Sequence, residues 1–113
     1  MDIKFKNNKL KKYANNDSLA NRKLGTIRAK LYKVRLDDLH DADTLEELRH
    51  VPGNYHELTQ DRKGQWACDL DQPYRLIFTP QENPIPIDED SKYIWIEIKG
   101  VEIIEVINYH KER

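Results

Sequence analysis

The spacing of apolar residues changes along this chain of 113 residues. In the first third of the chain, apolar side chains recur every three or four residues, which is the spacing of one helix face. In the second half they alternate with polar residues or form short runs rich in Ile and Val, a pattern typical of strands. Helices followed by strands predict an α+β domain, with N-terminal helices packed on a small, mainly antiparallel sheet.

The helical part is predicted to follow a short strand at residues 3–5 and to open with a short helix, Asn8–Asn15. Asp17 or Ser18 can cap the next helix. Because a glycine weakens a helix by only about 1 kcal/mol relative to alanine, we expect this helix to continue through Gly25. Its apolar side is predicted to pack on the sheet through Leu24, Ile27, Leu31 and Val34, with Ala20, Leu36 and Leu39 extending the buried surface.

The remainder predicts a one-turn helix and then strands. The expected elements are a helix at Leu45–Arg49, a strand at Tyr55–Leu58, a hairpin of Gln65–Leu70 with Tyr74–Thr79, and an exposed loop at Pro80–Lys92. Tyr93–Lys99 and Val101–Tyr109 form either a second hairpin or one long bulged strand. Strict alternation places one set of side chains on a single face of the last strand: Val101, Ile103, Glu105, Ile107 and Tyr109.

Length and composition predict one domain over residues 1–113, since two separate cores would each be very small. No apolar run is long enough to span a membrane, and the N-terminus lacks an apolar signal segment. The lone Cys68 cannot form an internal disulfide, so we expect a cytoplasmic protein. The sequence has no metal-ligand spacing and no glycine-rich phosphate loop, so we expect neither a metal nor a cofactor.

The net charge of −1 hides an uneven distribution. Residues 1–35 carry a net charge of +9 and residues 36–113 carry −10. The basic block indicates either a polyanion such as RNA on this surface, with Lys30 and Lys33 among its contacts, or simply a solvated helix. Arg62 and Lys63 lie on a predicted turn, where they can reach phosphate or remain solvated.

Four further side chains are candidates for chemistry. His56 and His110 carry imidazoles, which exchange protons near neutral pH. Arg75 lies within an apolar strand and therefore needs an anionic partner, either an internal acid or an external phosphate. Tyr109 can be a core residue, a ring that stacks on a base or a proton donor. These residue types alone do not name a reaction.

Three segments resemble the HigB-type killer toxins of the RelE/ParE superfamily: His56–Trp66, Tyr74–Phe78 and Ile107–His110. The family pattern is His-x-Leu-Lys-Gly-Asp-Arg-x-Gly-x-Trp, then the arginine of a Trp-Arg-Ile-x-Phe strand nine residues later, then a terminal Asp-Tyr-His. The nine-residue spacing from Trp66 to Arg75 fits this pattern. The resemblance covers nearly the whole chain.

This resemblance implies a toxin that enters the ribosomal A site and cuts mRNA without a metal, by attack of a ribose 2′-OH on the adjacent phosphate. It implies proton transfer or substrate positioning by His56 and His110, charge stabilisation by Arg75, and stacking or hydrogen bonding by Tyr109. Arg62 and Lys63 would be weaker contacts to the RNA backbone.

The implied partners are a HigA-like helix-turn-helix antitoxin, the ribosome and mRNA, with operator DNA bound only through the antitoxin. Such toxin–antitoxin pairs serve plasmid maintenance. Two other interpretations remain open: a non-catalytic or attenuated HigB-like binding protein or ParE-like gyrase inhibitor, and an unrelated RNA-binding domain that uses its basic helix as the platform.

The chain departs from the family pattern at three places. Thr59 stands where the family usually has a lysine, and Asn108 replaces the aspartate of Asp-Tyr-His. An amide cannot accept a proton as a carboxylate can, so the second change bears on proton transfer. The loop at Pro80–Tyr93 is longer than the tight turn of the family.

Overall fold

The computed structural model describes residues 1–109. Their centre is a five-stranded sheet formed by β1 (Asp2–Phe5), β2 (His56–Glu57), β3 (Trp66–Asp69), β4 (Tyr74–Pro80) and β5 (Gly100–Asn108). The spatial order of the strands is β1-β5-β4-β3-β2. Only β1 and β5 run parallel, and the other neighbouring strands are antiparallel. The predicted α+β class with a mainly antiparallel sheet is confirmed.

The α-helices are α1 (Asn8–Asn15), α2 (Asp17–Leu24) and α3 (Thr26–Asp41), and they pack on one face of the sheet. At the start of α1, the Asn7 side chain accepts a hydrogen bond of 3.0 Å from the backbone N–H of Leu10. Asn16 caps α2 in the same way, so the cap is not Asp17 or Ser18 as predicted. None of the helices formed by residues 1–109 is long and apolar enough to cross a membrane.

The prediction of one continuous helix through Gly25 is wrong. Gly25 has φ +89°, in the left-handed region that favours glycine, and it separates α2 from α3. A Cβ at this position would meet no atom within 4 Å, so the backbone conformation alone explains the glycine. Helix propensity gives the cost of a glycine that stays helical and does not register this change of backbone conformation.

The predicted buried face of α3 is also wrong in two of its members. Ile27 is 69% exposed and Val34 is 40% exposed, whereas Leu24 and Leu31 are half-buried against the core. The buried residues are Ala29, Tyr32, Leu36 and Leu39. Tyr32 explains the difference, because its ring is buried and its hydroxyl donates a hydrogen bond of 2.8 Å to the carbonyl oxygen of Leu10. Counting only aliphatic residues therefore included Ile27 and Val34 and omitted Tyr32, whereas the predicted burial of Leu36 and Leu39 is confirmed.

Tyr93–Lys99 forms neither arm of a hairpin nor the start of a long strand. Trp95–Glu97 is a short 3-10 helix, and similar turns occur at Leu45–His50 and Gln60–Arg62. The ring of Trp95 packs edge-on against Trp66 with 5.5 Å between ring centroids. This segment is therefore held by burial of the Trp95 indole in the core and not by pairing with a neighbouring strand.

A β-bulge decides which residues of β5 lie on each face of the sheet. Ile77 pairs with Glu105, but Phe78 pairs with Ile103, so Ile104 is an extra residue. The predicted single row of alternating residues on β5 is therefore split. Val101 and Ile103 lie on the helix-covered face, and the opposite face, hereafter the open face, carries Ala67, Asp69, Arg75, Ile77, Glu105 and Ile107.

Candidate functional site

The open face brings together residues that are far apart in the sequence. His56 pairs with Ala67 of β3. Ala67 pairs with Ile77 of β4, and Ile77 pairs with Glu105 of β5, so the four residues form one row across the sheet. Arg75 occupies the next row, between Asp69 and Ile107. Because directly paired residues of neighbouring strands project to the same side, His56 and Arg75 share the open face.

Arg75 is held loosely by two neighbours. Its Nε atom lies 3.5 Å from Oδ1 of Asp69, and its guanidinium carbon lies 4.0 Å from the ring centroid of Tyr109. Nε is buried and makes no hydrogen bond to any of residues 1–109, since 3.5 Å marks a weak contact. The guanidinium of Arg75 therefore lies against the ring of Tyr109 and has an N–H donor, at Nε, that is not used within residues 1–109.

Tyr109 is fixed where β5 ends. Its backbone N–H donates a hydrogen bond of 3.0 Å to the carbonyl oxygen of Pro73, in the β3–β4 turn. The half-buried ring thus stays beside Arg75, where it can stack on a base or donate a hydrogen bond. His110 lies outside the described residues, so its predicted place in the site has no coordinates.

His56 has one ring nitrogen in a close contact with the backbone. Its Nδ1 atom lies 2.6 Å from the carbonyl oxygen of Asn54. A carbonyl oxygen only accepts, so Nδ1 carries the hydrogen and Nε2 of the neutral ring is the proton acceptor. The imidazole is half-buried on the short edge strand β2. Its geometry suits a general base.

The structure separates Arg62 from Lys63. Arg62 donates a hydrogen bond of 2.8 Å to Oε1 of Gln65 and one of 2.9 Å to Oε1 of Glu105, so it lies over the open face. Lys63 instead has its Nζ atom 5.6 Å from the ring centroid of Tyr93. It lines a groove of about 630 Å³ at the β2 edge, away from Arg62.

Lys30 and Lys33 are exposed on α3, in the helix layer, on the other side of the sheet from Arg75. Lys33 also makes an exposed ion pair of 3.0 Å with Asp17. The basic helical surface and the open face are therefore two distinct regions of the molecule.

A comparison with protein families gives a match over residues 3–89 to a family described as the RelE-like toxin of the type II toxin–antitoxin system HigB. The chain belongs to the HigB-like toxin family. Membership confirms the resemblance and implies an antitoxin partner. A search of curated proteins gave no match. The matched segment of this HigB-like toxin includes His56, Arg62 and Arg75, whereas β5 and Tyr109 follow it.

No sequence pattern identifies Asp69 and Glu105, the acids that lie beside the arginines of the open face. Strand alternation gives Asp69 no role, and the bulge at Ile104 decides that Glu105 projects beside Arg62. Asn108 pairs with Tyr74, whose ring stacks on Arg28 of α3, so its register position is on the helix-covered face. This places the Asn108 departure on the opposite side of β5 from Glu105.

No group of three or more His, Cys, Asp or Glu side chains that could bind a metal ion occurs in the described part of the HigB-like toxin. Cys68 is fully buried, and burial raises the pKa of its thiol well above the usual value. A neutral, inaccessible thiol is a poor nucleophile.

Proposed function

We propose that this HigB-like toxin cuts mRNA in the ribosomal A site. The observation that carries the proposal is the placement of Arg75, whose weak contact with Asp69 leaves its guanidinium able to bind phosphate on the same face as His56. Family membership supports the toxin role. The toxin acts in the cytoplasm, where ribosomes and mRNA are found.

The reaction is an attack of a ribose 2′-OH on the adjacent phosphorus. His56 takes the hydroxyl proton at Nε2, the 2′-oxygen bonds to phosphorus, and the bond to the 5′-oxygen breaks. The products are a 2′,3′-cyclic phosphate and a 5′-OH end, with a proton supplied to the leaving oxygen by His110. Arg75 stabilises the charge that builds on phosphorus oxygens, and Tyr109 stacks on a base.

In this proposal, the positive charge of the helix layer binds the toxin to the ribosome. Lys30 and Lys33 belong to a basic block that attracts ribosomal RNA, and Arg62 and Lys63 contact the RNA backbone. The antitoxin is a HigA-like helix-turn-helix protein that neutralises the toxin and brings the complex to operator DNA. The pair serves plasmid maintenance.

The test is to map mRNA 5′ ends with purified toxin, in the presence and absence of translating ribosomes. The expected result is new 5′-OH ends at A-site codons when ribosomes are present, and none with mRNA alone. Growth arrest with altered DNA supercoiling and intact mRNA would instead support a gyrase inhibitor and overturn the proposal.

A further inference from the structure

The two arginines of the open face each have a carboxylate beside them. Arg62 donates to Glu105 at 2.9 Å, and Arg75 lies 3.5 Å from Asp69. All four side chains are between 20% and 37% exposed, so each ion pair is partly shielded from water. These four side chains contribute two positive and two negative charges, an unusual balance for a group that binds a polyanion.

The two acids are held by the sheet itself. Asp69 lies directly opposite Arg75 in the β3–β4 pairing, and Glu105 projects from β5 opposite Ile77. Asn54 adds a long contact of 3.4 Å to both carboxylate oxygens of Asp69. Their positions are therefore set by backbone register and by the bulge at Ile104, so an incoming phosphate meets them wherever it approaches the arginines.

We propose that Glu105 and Asp69 act as internal substitutes for phosphate on the open face. Glu105 holds Arg62 in the orientation that an RNA phosphate needs, and the phosphate binds Arg62 only by displacing Glu105. The looser Asp69 leaves Arg75 able to bind phosphate and weakens that binding by its charge. Both groups accept guanidinium hydrogen bonds, and a carboxylate that stays in place repels phosphate. The proposal rests on the function proposed above and makes the two acids the residues that limit RNA affinity.

The two pairs differ in strength, and this orders the expected effects. Arg62 makes a true hydrogen bond to Glu105, whereas the Arg75–Asp69 contact is longer and less directional. Removing the Glu105 charge should therefore increase affinity for a polyanion more than removing the Asp69 charge. The expected gains are about fivefold for Glu105→Gln, equivalent to about 1 kcal/mol, and about twofold for Asp69→Asn.

The experiment measures binding of the full-length toxin to a single-stranded DNA decamer, which has no 2′-OH and cannot be cut by the proposed chemistry. Fluorescence anisotropy gives Kd at several salt concentrations for the wild type, Glu105→Gln, Asp69→Asn and Glu102→Gln. Glu102→Gln is the matched control, because it removes the same charge from the same strand at a position paired with Thr79 and Lys4.

Glu105→Gln should lower Kd about fivefold, and one additional phosphate contact should steepen the logarithmic salt dependence by about 0.7. Glu102→Gln should change Kd by less than about twofold, because the strand neighbours of Glu102 are Thr79 and Lys4, whereas Glu105 accepts a hydrogen bond from Arg62. Adding Arg62→Gln to Glu105→Gln should cancel the gain. Thermal unfolding of each variant confirms that the compared proteins are folded.

Equal values of Kd for Glu105→Gln and Glu102→Gln would overturn the proposal, and so would a gain that persists without Arg62. If the wild type cuts mRNA on ribosomes while Glu105→Gln binds DNA no better than the wild type, the proposal that the carboxylates take the place of phosphate is refuted and the nuclease function is supported. If Glu105→Gln binds DNA more tightly but the wild type cuts no mRNA, the proposal about the carboxylates is supported and the nuclease function is refuted.

Discussion

Arg28 and Arg75 have the same kinds of neighbours on opposite faces of the sheet. The guanidinium carbon of Arg28 lies 3.4 Å from the ring centroid of Tyr74, and Arg28 forms an ion pair with Asp71. The guanidinium carbon of Arg75 lies 4.0 Å from the ring centroid of Tyr109, and Arg75 lies beside Asp69. Their side chains are 21% and 20% exposed. Burial therefore does not distinguish the two arginines.

Hydrogen bonding does distinguish them. Arg28 donates to both carboxylate oxygens of Asp71 at 2.9 and 3.0 Å, and to the carbonyl oxygen of Leu24 at 3.0 Å. This fork geometry is that of a structural clamp, here joining α3 to the β3–β4 turn. Within residues 1–109, the Nε atom of Arg75 makes no hydrogen bond and lies 3.5 Å from Oδ1 of Asp69. The two arginines therefore differ in their hydrogen bonds and not in their exposure, which is why we propose Arg75 and not Arg28 as the phosphate-binding residue.

The largest expected effect is on catalysis by the Arg75→Ala variant. Loss of one transition-state charge contact costs roughly 2.7–4 kcal/mol, so mRNA cleavage on ribosomes should fall about a hundredfold to a thousandfold. The free energy of unfolding should fall by less than about 1 kcal/mol, because the Asp69 pair is loose. Single-turnover cleavage and urea denaturation measure the two quantities. A cleavage rate within a few-fold of the wild type would remove Arg75 from the site.

Arg28→Ala should show the reverse pattern. Loss of charged hydrogen bonds to Asp71 should lower the free energy of unfolding by about 1.5–3 kcal/mol, measured as a lower urea midpoint. Cleavage by the folded fraction should remain within about threefold of the wild type. A variant with normal stability and lost cleavage would mean that the clamp, and not the loose pair, contacts RNA.

The helix layer gives a third and smaller expected effect. Lys30→Glu with Lys33→Glu should weaken ribosome association on the order of tenfold at low salt, because each phosphate contact releases counterions. Lys92→Glu with Lys99→Glu makes the same charge change outside the basic block and serves as the control. Co-sedimentation at increasing salt compares the pairs. Equal losses in both pairs would argue against a basic docking surface.

The smallest expected effect is that of Asn108→Asp. Asn108 is paired with Tyr74 on the helix-covered face, so a carboxylate there is on the other side of β5 from Glu105. Cleavage should change by less than about twofold, measured in the same single-turnover assay. A tenfold increase would show that an acid at this position takes part in proton transfer despite its register.

Much of the fold could be predicted because it depends on local patterns. The α1 helix and the β3–β4 hairpin follow from capping, apolar spacing and a short turn. The break at Gly25 could not be predicted, because it depends on the left-handed backbone conformation that Gly25 adopts in the fold. Helix propensity gives only the cost of a glycine that stays helical.

The site was predicted in part for a similar reason. Family motifs supplied His56, Arg75 and Tyr109, and sheet register places the first two on one face. Glu105 was missed because strict alternation holds only where a strand has no bulge, and the extra residue at Ile104 shifts every later side chain to the other face.

Side-chain NMR distinguishes between Arg75 and Arg28 as the arginine that binds RNA phosphate. The Nε–H resonances of both arginines are followed while an RNA decamer carrying 2′-O-methyl groups, which block cleavage, is added to the full-length toxin. We expect the Arg75 resonance to shift progressively and the Arg28 resonance to stay in place, because the Nε–H of Arg28 already donates to Asp71. A shift of Arg28 with an unchanged Arg75 would contradict the account.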